Sequence, residues 1–187
     1  MKLVNKIPIW FMRQAGRYLP EYMKIRSRNS DFLRLCLNPV LASEISLQPI
    51  KRFNLDFIIL FSDILVIPHA LGQEVKFLKS HGPLLNSISS IKDLNYTSLN
   101  KSLEKISNIF ETIKILNAKK SKRNLIGFCG GPFTVLNYMI EGGTSKTHGK
   151  IKTFIKDKKR AANDIIKIIT EISIEYLKKQ IESGANY

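Results

Sequence analysis

Short continuous apolar runs alternate along the chain with longer stretches in which apolar residues recur at helical spacing. Three of these runs, at 7–12, 56–68 and 124–131, are rich in β-branched and aromatic residues, and they therefore predict buried parallel strands. The second run is broken by one polar pair, Ser62 and Asp63. This pattern predicts strands separated by helices.

Helix signals follow the apolar runs. Asp31 is predicted to cap a short helix that follows it, and Asn38 to cap a second helix that starts at Pro39. Pro49 is expected to kink or stop that second helix, because proline lacks the backbone donor that a helix requires. Residues 68–95 are predicted to form loops and turns. Further helices are predicted over 96–118, 132–142 and 151–182.

Strands that alternate with helices predict βαβ units, which build a parallel sheet in an α/β fold. The chain has neither internal repeats nor a low-complexity linker, so residues 1–187 are interpreted as part of one domain. A fourth strand is expected to begin at 185–187, directly after the helix that Gly184 closes.

The composition changes this picture little. The 30 lysines and arginines against 15 acidic residues leave a net charge of +15, but the lysines are spread over amphipathic helices, and we expect no nucleic-acid partner. No apolar run reaches the roughly 18 residues of a membrane span, and the N-terminus lacks the features of a signal peptide. The two cysteines have apolar neighbours, which indicates free thiols in a reducing cytoplasm.

Unusual polar groups follow the predicted strands, where α/β folds bind ligands. Arg13 and Arg17 bracket Gly16, and their planar guanidinium groups suit carboxylates, although a pair of surface arginines on an ordinary loop explains the spacing equally well. Asp63 lies in an apolar run, where it needs a partner: an arginine, backbone donors, or a ligand rich in N–H groups. Tyr138 is either a core residue or a ligand for a carboxylate.

Other chemistries lack their motifs. The three histidines stand apart, and no HxxxH or CxxC pair suggests a metal site. A GxSxG elbow and a phosphate-binding loop are missing from the sequence as well.

Four segments in fixed order resemble the uroporphyrinogen decarboxylase family. They read PIWFMRQAGRYLPEY at 8–22, LQPI with RF at 47–53, ILFSDILVIP at 59–68, and LIGFCGGPFT continuing to YMIEGG at 125–143. The matches cover nearly the whole chain, and together they are very specific.

The resemblance implies the first three to four βα units of an incomplete (β/α)8 TIM barrel, which typically needs about 250 residues. It implies a cytoplasmic, usually homodimeric enzyme that needs neither a metal nor another cofactor and removes CO2 from the four acetate side chains of uroporphyrinogen to give coproporphyrinogen. Asp63, Arg13 and Arg17 would be catalytic. The substrate-binding residues that the resemblance implies are Arg13, Gln14, Ala15, Gly16, Arg17, Phe32, Asp63 and Tyr138.

Two other interpretations stay open. A truncated remnant would be inactive and would at most bind anionic tetrapyrroles. A corrinoid-linked methyltransferase of the broader superfamily would need a zinc-binding His/Cys set, and the segments around Arg13 and Asp63 favour the decarboxylase over it.

Overall fold

The computed structural model describes residues 7–53, 55–78 and 82–187. Within these residues the helices are α1 (Pro20–Arg28), α2 (Phe32–Cys36), α3 (Pro39–Phe53), α4 (Val66–Ala70), α5 (Leu99–Lys105), α6 (Ser107–Lys119), α7 (Pro132–Glu141), α8 (Gly149–Asp157) and α9 (Lys159–Glu182). The strands are β1 (Phe57–Ile59), β2 (Val75–Leu78), β3 (Gly82–Leu85) and β4 (Asn124–Ile126). None of the helices in the described ranges has the length and apolarity that crossing a membrane requires.

Two of the strands form the parallel pair that the alternating pattern predicts. β1 lies beside β4 with Ile58 opposite Leu125, and the connection between them carries α4 to α6. Ile58 and Leu125 are fully buried in the main hydrophobic core, which helices α6, α7 and α9 also line. Phe57, Ile59 and Ile126 point to the opposite face of the pair and stay half-buried. The α/β class is therefore confirmed, with one face of the sheet only partly covered.

The outer edge of β1 is occupied by a side chain. The Gln14 amide nitrogen donates to the Phe57 carbonyl at 3.0 Å, and its amide oxygen accepts from the Ile59 N–H at 3.3 Å. Gln14 is only 5% exposed. Its amide group therefore stands in for the peptide group of a neighbouring strand.

The outer edge of β4 is occupied by the last residues of the chain. The Asn186 N–H donates to the Leu125 carbonyl at 2.8 Å, and the Gly127 N–H donates to the Tyr187 carbonyl at 2.8 Å. The predicted start of a fourth strand at 185–187 is therefore not a regular strand, although these residues bond to the edge of β4.

The predicted caps are confirmed. A carboxylate oxygen of Asp31 accepts from the Arg34 N–H at 3.0 Å, and the side-chain oxygen of Asn38 accepts from the Leu41 N–H at 3.0 Å. Gly142 ends α7 in the left-handed region, with φ at 81°. Each of these residues satisfies backbone groups at a helix end that would otherwise lack partners.

The predicted strands are too long. No strand forms over 7–12, because Pro8 has no N–H to donate and the Gln14 side chain takes the β1 edge. The run at 56–68 is strand only at Phe57–Ile59, and its remainder forms a turn and α4. A short apolar run does not distinguish a strand from a buried helix. The run at 124–131 likewise ends as a strand at Ile126.

Two predicted helices are divided, and one is not interrupted. The helix over 96–118 becomes α5 and α6, which meet at the fully buried Ile106, and the one over 151–182 becomes α8 and α9, which meet at Lys158 within a basic run. Like charges close together disfavour a continuous helix there.

Pro49 does not stop α3, which continues to Phe53. The predicted loop region holds the antiparallel pair of β2 and β3, with residues 79–81 outside the described ranges.

Candidate active site

A cavity of about 680 Å³ brings together predicted site residues that lie far apart in the sequence. Arg17, Phe32 and Asp63 all line it. Arg17 comes from the loop before α1, Phe32 from the start of α2, and Asp63 from the turn after β1. The acid and one arginine of the predicted pair therefore face one common space.

Asp63 is held by the turn that leads into α4. Its Oδ1 accepts from the Leu65 N–H at 2.8 Å. Burial raises the pKa of the Asp63 carboxyl above its ordinary value, and the bond from Leu65 opposes that shift. The carboxylate is thus fixed in position and costly to ionise, and among the described residues it forms no ion pair.

The free energy of unfolding should respond to Asp63→Asn. Because the folded-state pKa of Asp63 is raised, ionisation at neutral pH destabilises the folded chain, and the folded chain regains stability as the pH falls through that pKa. We expect the asparagine variant, which can still accept from Leu65, to be more stable than the wild type at pH 7. The difference in free energy of unfolding between the two proteins should shrink as the pH falls from 7 toward the ordinary pKa of aspartate. Urea unfolding at several pH values measures this, and a variant less stable at pH 7 would contradict it.

The cavity contains a second arginine, Arg26, which the sequence pattern did not indicate. Arg26 on α1 is half-buried and lines the cavity, and its guanidinium lies 5.8 Å from the centre of the Phe32 ring. It also donates to the Asn29 carbonyl, which fixes its direction. Tyr22, one helical turn earlier, lines the same wall, and burial raises the pKa of its hydroxyl. The i, i+4 spacing of Tyr22 and Arg26 was the available signal.

Aromatic rings form the other side of the cavity. The Phe32 ring lies 4.7 Å from Phe77 and 5.7 Å from Phe61, with both pairs edge-to-face. Phe61 in turn contacts Tyr22 at 5.9 Å. The cavity therefore combines two guanidinium groups and one carboxylate with an apolar wall, which suits an anionic ligand that also carries N–H donors and flat apolar rings.

The remaining predicted residues do not line this cavity. Arg13 is exposed, and the side chain of Gln14 is committed to the β1 backbone. Ala15 packs against the small core between α1 and α3. Gly16 accepts from the Leu19 N–H through its carbonyl at 3.0 Å. Tyr138 lies half-buried on α7 against the main core.

The described part of the chain contains no group of three His, Cys, Asp or Glu side chains that could hold a metal ion. His69 and His148 lie on separate elements, and His81 falls outside the described residues. Cys36 and Cys129 are free thiols.

Known proteins resemble this chain in sequence and in fold. The family model described as uroporphyrinogen decarboxylase (URO-D) matches residues 1–187. A uroporphyrinogen decarboxylase of Neorickettsia sennetsu is 48% identical over 186 residues, covering 99% of this chain and 56% of the relative. One of Rickettsia felis is 46% identical over 183 residues, covering 97% of this chain and 53% of the relative. The chain thus spans about half the length of the curated relatives that it matches.

A solved structure of a methyltransferase from Methanosarcina mazei superposes with a TM-score of 0.75 at 22% identity, covering 97% of this chain and 52% of that chain. At that identity the likeness shows the fold alone. Sequence similarity over the full chain is what assigns the family: this chain belongs to the uroporphyrinogen decarboxylase family.

Proposed function

We propose that this chain supplies the carboxylate-binding and cation-stabilising part of an enzyme that decarboxylates uroporphyrinogen to coproporphyrinogen. The observation that carries the proposal is the cavity in which Asp63 faces Arg17 and Arg26. A single half-buried acid among guanidinium groups suits a ligand with N–H donors at its centre and carboxylates at its rim.

Asp63 accepts the pyrrole N–H groups in this proposal. Oδ1 already accepts from Leu65, and no described residue donates to Oδ2. The N–H donors of the ligand would satisfy that oxygen and offset the cost of burying the charge. Arg17 and Arg26 bind carboxylates of the ligand from the cavity wall. Arg13 does not line the cavity, and its assignment to a ligand carboxylate rests on the family resemblance.

The reaction needs a cation to form next to an acetate. A proton adds to a pyrrole ring carbon, the bond between the acetate methylene and its carboxylate breaks, and the electron pair flows into the ring as CO2 leaves. The methylene then takes up a proton to become methyl, and the ring carbon releases its own. Asp63 stabilises the positive ring in a low-dielectric site. A guanidinium is a weak acid at neutral pH, so Arg13 and Arg17 are assigned to carboxylates here.

The fold proposal is an incomplete (β/α)8 barrel, in which residues 1–187 form the N-terminal part of one domain. Its support is the parallel β1–β4 pair and the half-buried face of that pair. A parallel sheet is usually covered on both faces, so further βα units would complete it. The family resemblance adds that the assembled enzyme is a cytoplasmic homodimer.

Complementation tests the proposal. We expect the chain alone to show no turnover of uroporphyrinogen, and we expect turnover when it is co-expressed with the part of the Neorickettsia sennetsu relative that the match leaves out. Coproporphyrinogen formation, measured after oxidation by fluorescence, is the readout. The relative's part expressed alone is the control.

A non-catalytic binder of anionic tetrapyrroles is the second candidate function. The cavity favours it, because Arg17, Arg26 and Asp63 all come from this chain. Uroporphyrinogen binding without turnover in the complemented protein would support the binder and overturn the decarboxylase.

A further inference from the structure

The hairpin of β2 and β3 closes one side of the cavity. β2 pairs antiparallel with β3, with Phe77 opposite Pro83. Phe77 and Leu78 from β2 and Gly82 from β3 line the cavity that contains Asp63. The hairpin stands apart from the parallel β1–β4 pair, so it contributes to the site without being part of the βα framework.

The end of α7 holds this hairpin in place. The Leu85 N–H donates to the Gly142 carbonyl at 3.0 Å, and Leu84 forms a bridge with Gly143. The Gln73 amide nitrogen ties the residue after β3 to α7 by donating to the carbonyls of Asn86 and Met139, at 2.6 and 3.2 Å. These contacts hold the hairpin that carries Phe77 against α7.

Phe77 meets the aromatic wall at close range. Its ring centre lies 4.7 Å from that of Phe32, at an interplanar angle of 61°. Phe77 shares its face of β2 with the buried Val75, yet it remains half-buried and borders the cavity. The Arg26 guanidinium lies 5.8 Å from the centre of the same Phe32 ring. Phe32 therefore contacts both a second aromatic ring and a guanidinium group of the cavity.

We propose that Phe77 is a ligand-binding residue whose ring packs against the face of a pyrrole ring of the ligand. This inference rests on the proposed function. Phe32 and Phe77 hold the ring system that all tetrapyrrole ligands share, while Arg17 and Arg26 distinguish the ligands by their number of carboxylates. A contact with the pyrrole ring does not depend on how many carboxylates the ligand carries. It therefore contributes equally to the binding of the substrate and of each partly decarboxylated product.

The test is anaerobic calorimetric titration of the full 187-residue chain with uroporphyrinogen and with coproporphyrinogen. Phe77→Ala is expected to weaken the binding of both ligands by the same factor, about tenfold, the size of one good aromatic contact. Arg17→Gln should weaken uroporphyrinogen binding more than coproporphyrinogen binding. Leu84→Ala is the matched control, because Leu84 is 48% exposed on the same hairpin and does not line the cavity.

Two further outcomes decide the inference. Phe77→Leu keeps the apolar packing of the hairpin and should weaken both ligands by a smaller equal factor; circular dichroism confirms that both variants are folded. If the wild type binds and folded Phe77 variants bind as tightly, or lose affinity for one ligand only, the role of Phe77 is overturned while the proposed function stands. If the wild type binds neither ligand, the proposed function fails, and the role of Phe77 fails with it.

Discussion

Asp63→Ala is expected to lower the turnover of the complemented enzyme by about 100- to 1000-fold, the loss seen when a preorganised group that stabilises transition-state charge is removed. The structure holds this carboxylate in the cavity through its bond from Leu65, and its burial strengthens its interaction with a positive ring. The loss should fall on kcat, because positive charge on the ring is greatest after protonation.

Steady-state kinetics of the complemented protein measures this, with Asp164→Ala as the matched control. Asp164 is exposed on α9 and lies away from the cavity, so its replacement should leave both kcat and KM unchanged. Wild-type turnover in the Asp63 variant would remove this carboxylate from the mechanism, whereas a change confined to KM would assign it to binding alone.

Gly130→Ala is expected to destabilise the folded chain by about 2–3 kcal/mol, in the range measured for overpacked cores. A Cβ at this buried position would lie 2.6 Å from Val135 Cγ2 and 2.8 Å from Ile64 Cβ. No side-chain rotation moves a Cβ away, so the backbone of the turn after β1 has to shift. Ile64 is next to Asp63, and we therefore expect the variant to lose ligand affinity as well.

Gly131→Ala provides the control in the same loop. A Cβ there would meet only Thr134 Oγ1, at 3.9 Å, and the residue is exposed. Its free energy of unfolding should stay near that of the wild type, since a surface substitution without such contacts usually changes it by less than about 0.5 kcal/mol. Equal unfolding midpoints for the two variants in urea would show that the close approach of Gly130 to Ile64 is easily relieved.

Local chemistry made some elements predictable. The side chains of Asp31 and Asn38 cap the helices that follow them, and Gly142 ends α7, because each acts on neighbouring residues only. The length of the strands depends on pairing with distant residues, which local pattern does not contain. The apolar residues after Asp63 are buried equally well in a helix, and the structure places Val66–Ala70 in α4.

The sequence alone predicted those site residues whose polarity differs from that of their neighbours or that belong to a recognisable motif. Asp63 stands out in an apolar run, and Arg17 belongs to a recognisable segment. Arg26 looks like an ordinary surface arginine of a basic helix until the fold turns it toward Phe32. Phe77 lies in a region that pattern alone assigns to loops, and only the hairpin and its attachment to α7 direct its ring into the cavity.

The Gln14 amide that occupies the edge of β1 has a consequence for self-association. Unpaired strand edges recruit strands from other molecules and start aggregates. At this edge the acceptor at Phe57 and the donor at Ile59 are already engaged by a side chain from the same molecule. A foreign strand would have to displace a buried amide before it could add there, so this border of the sheet resists intermolecular growth even while one face of the sheet is only partly covered.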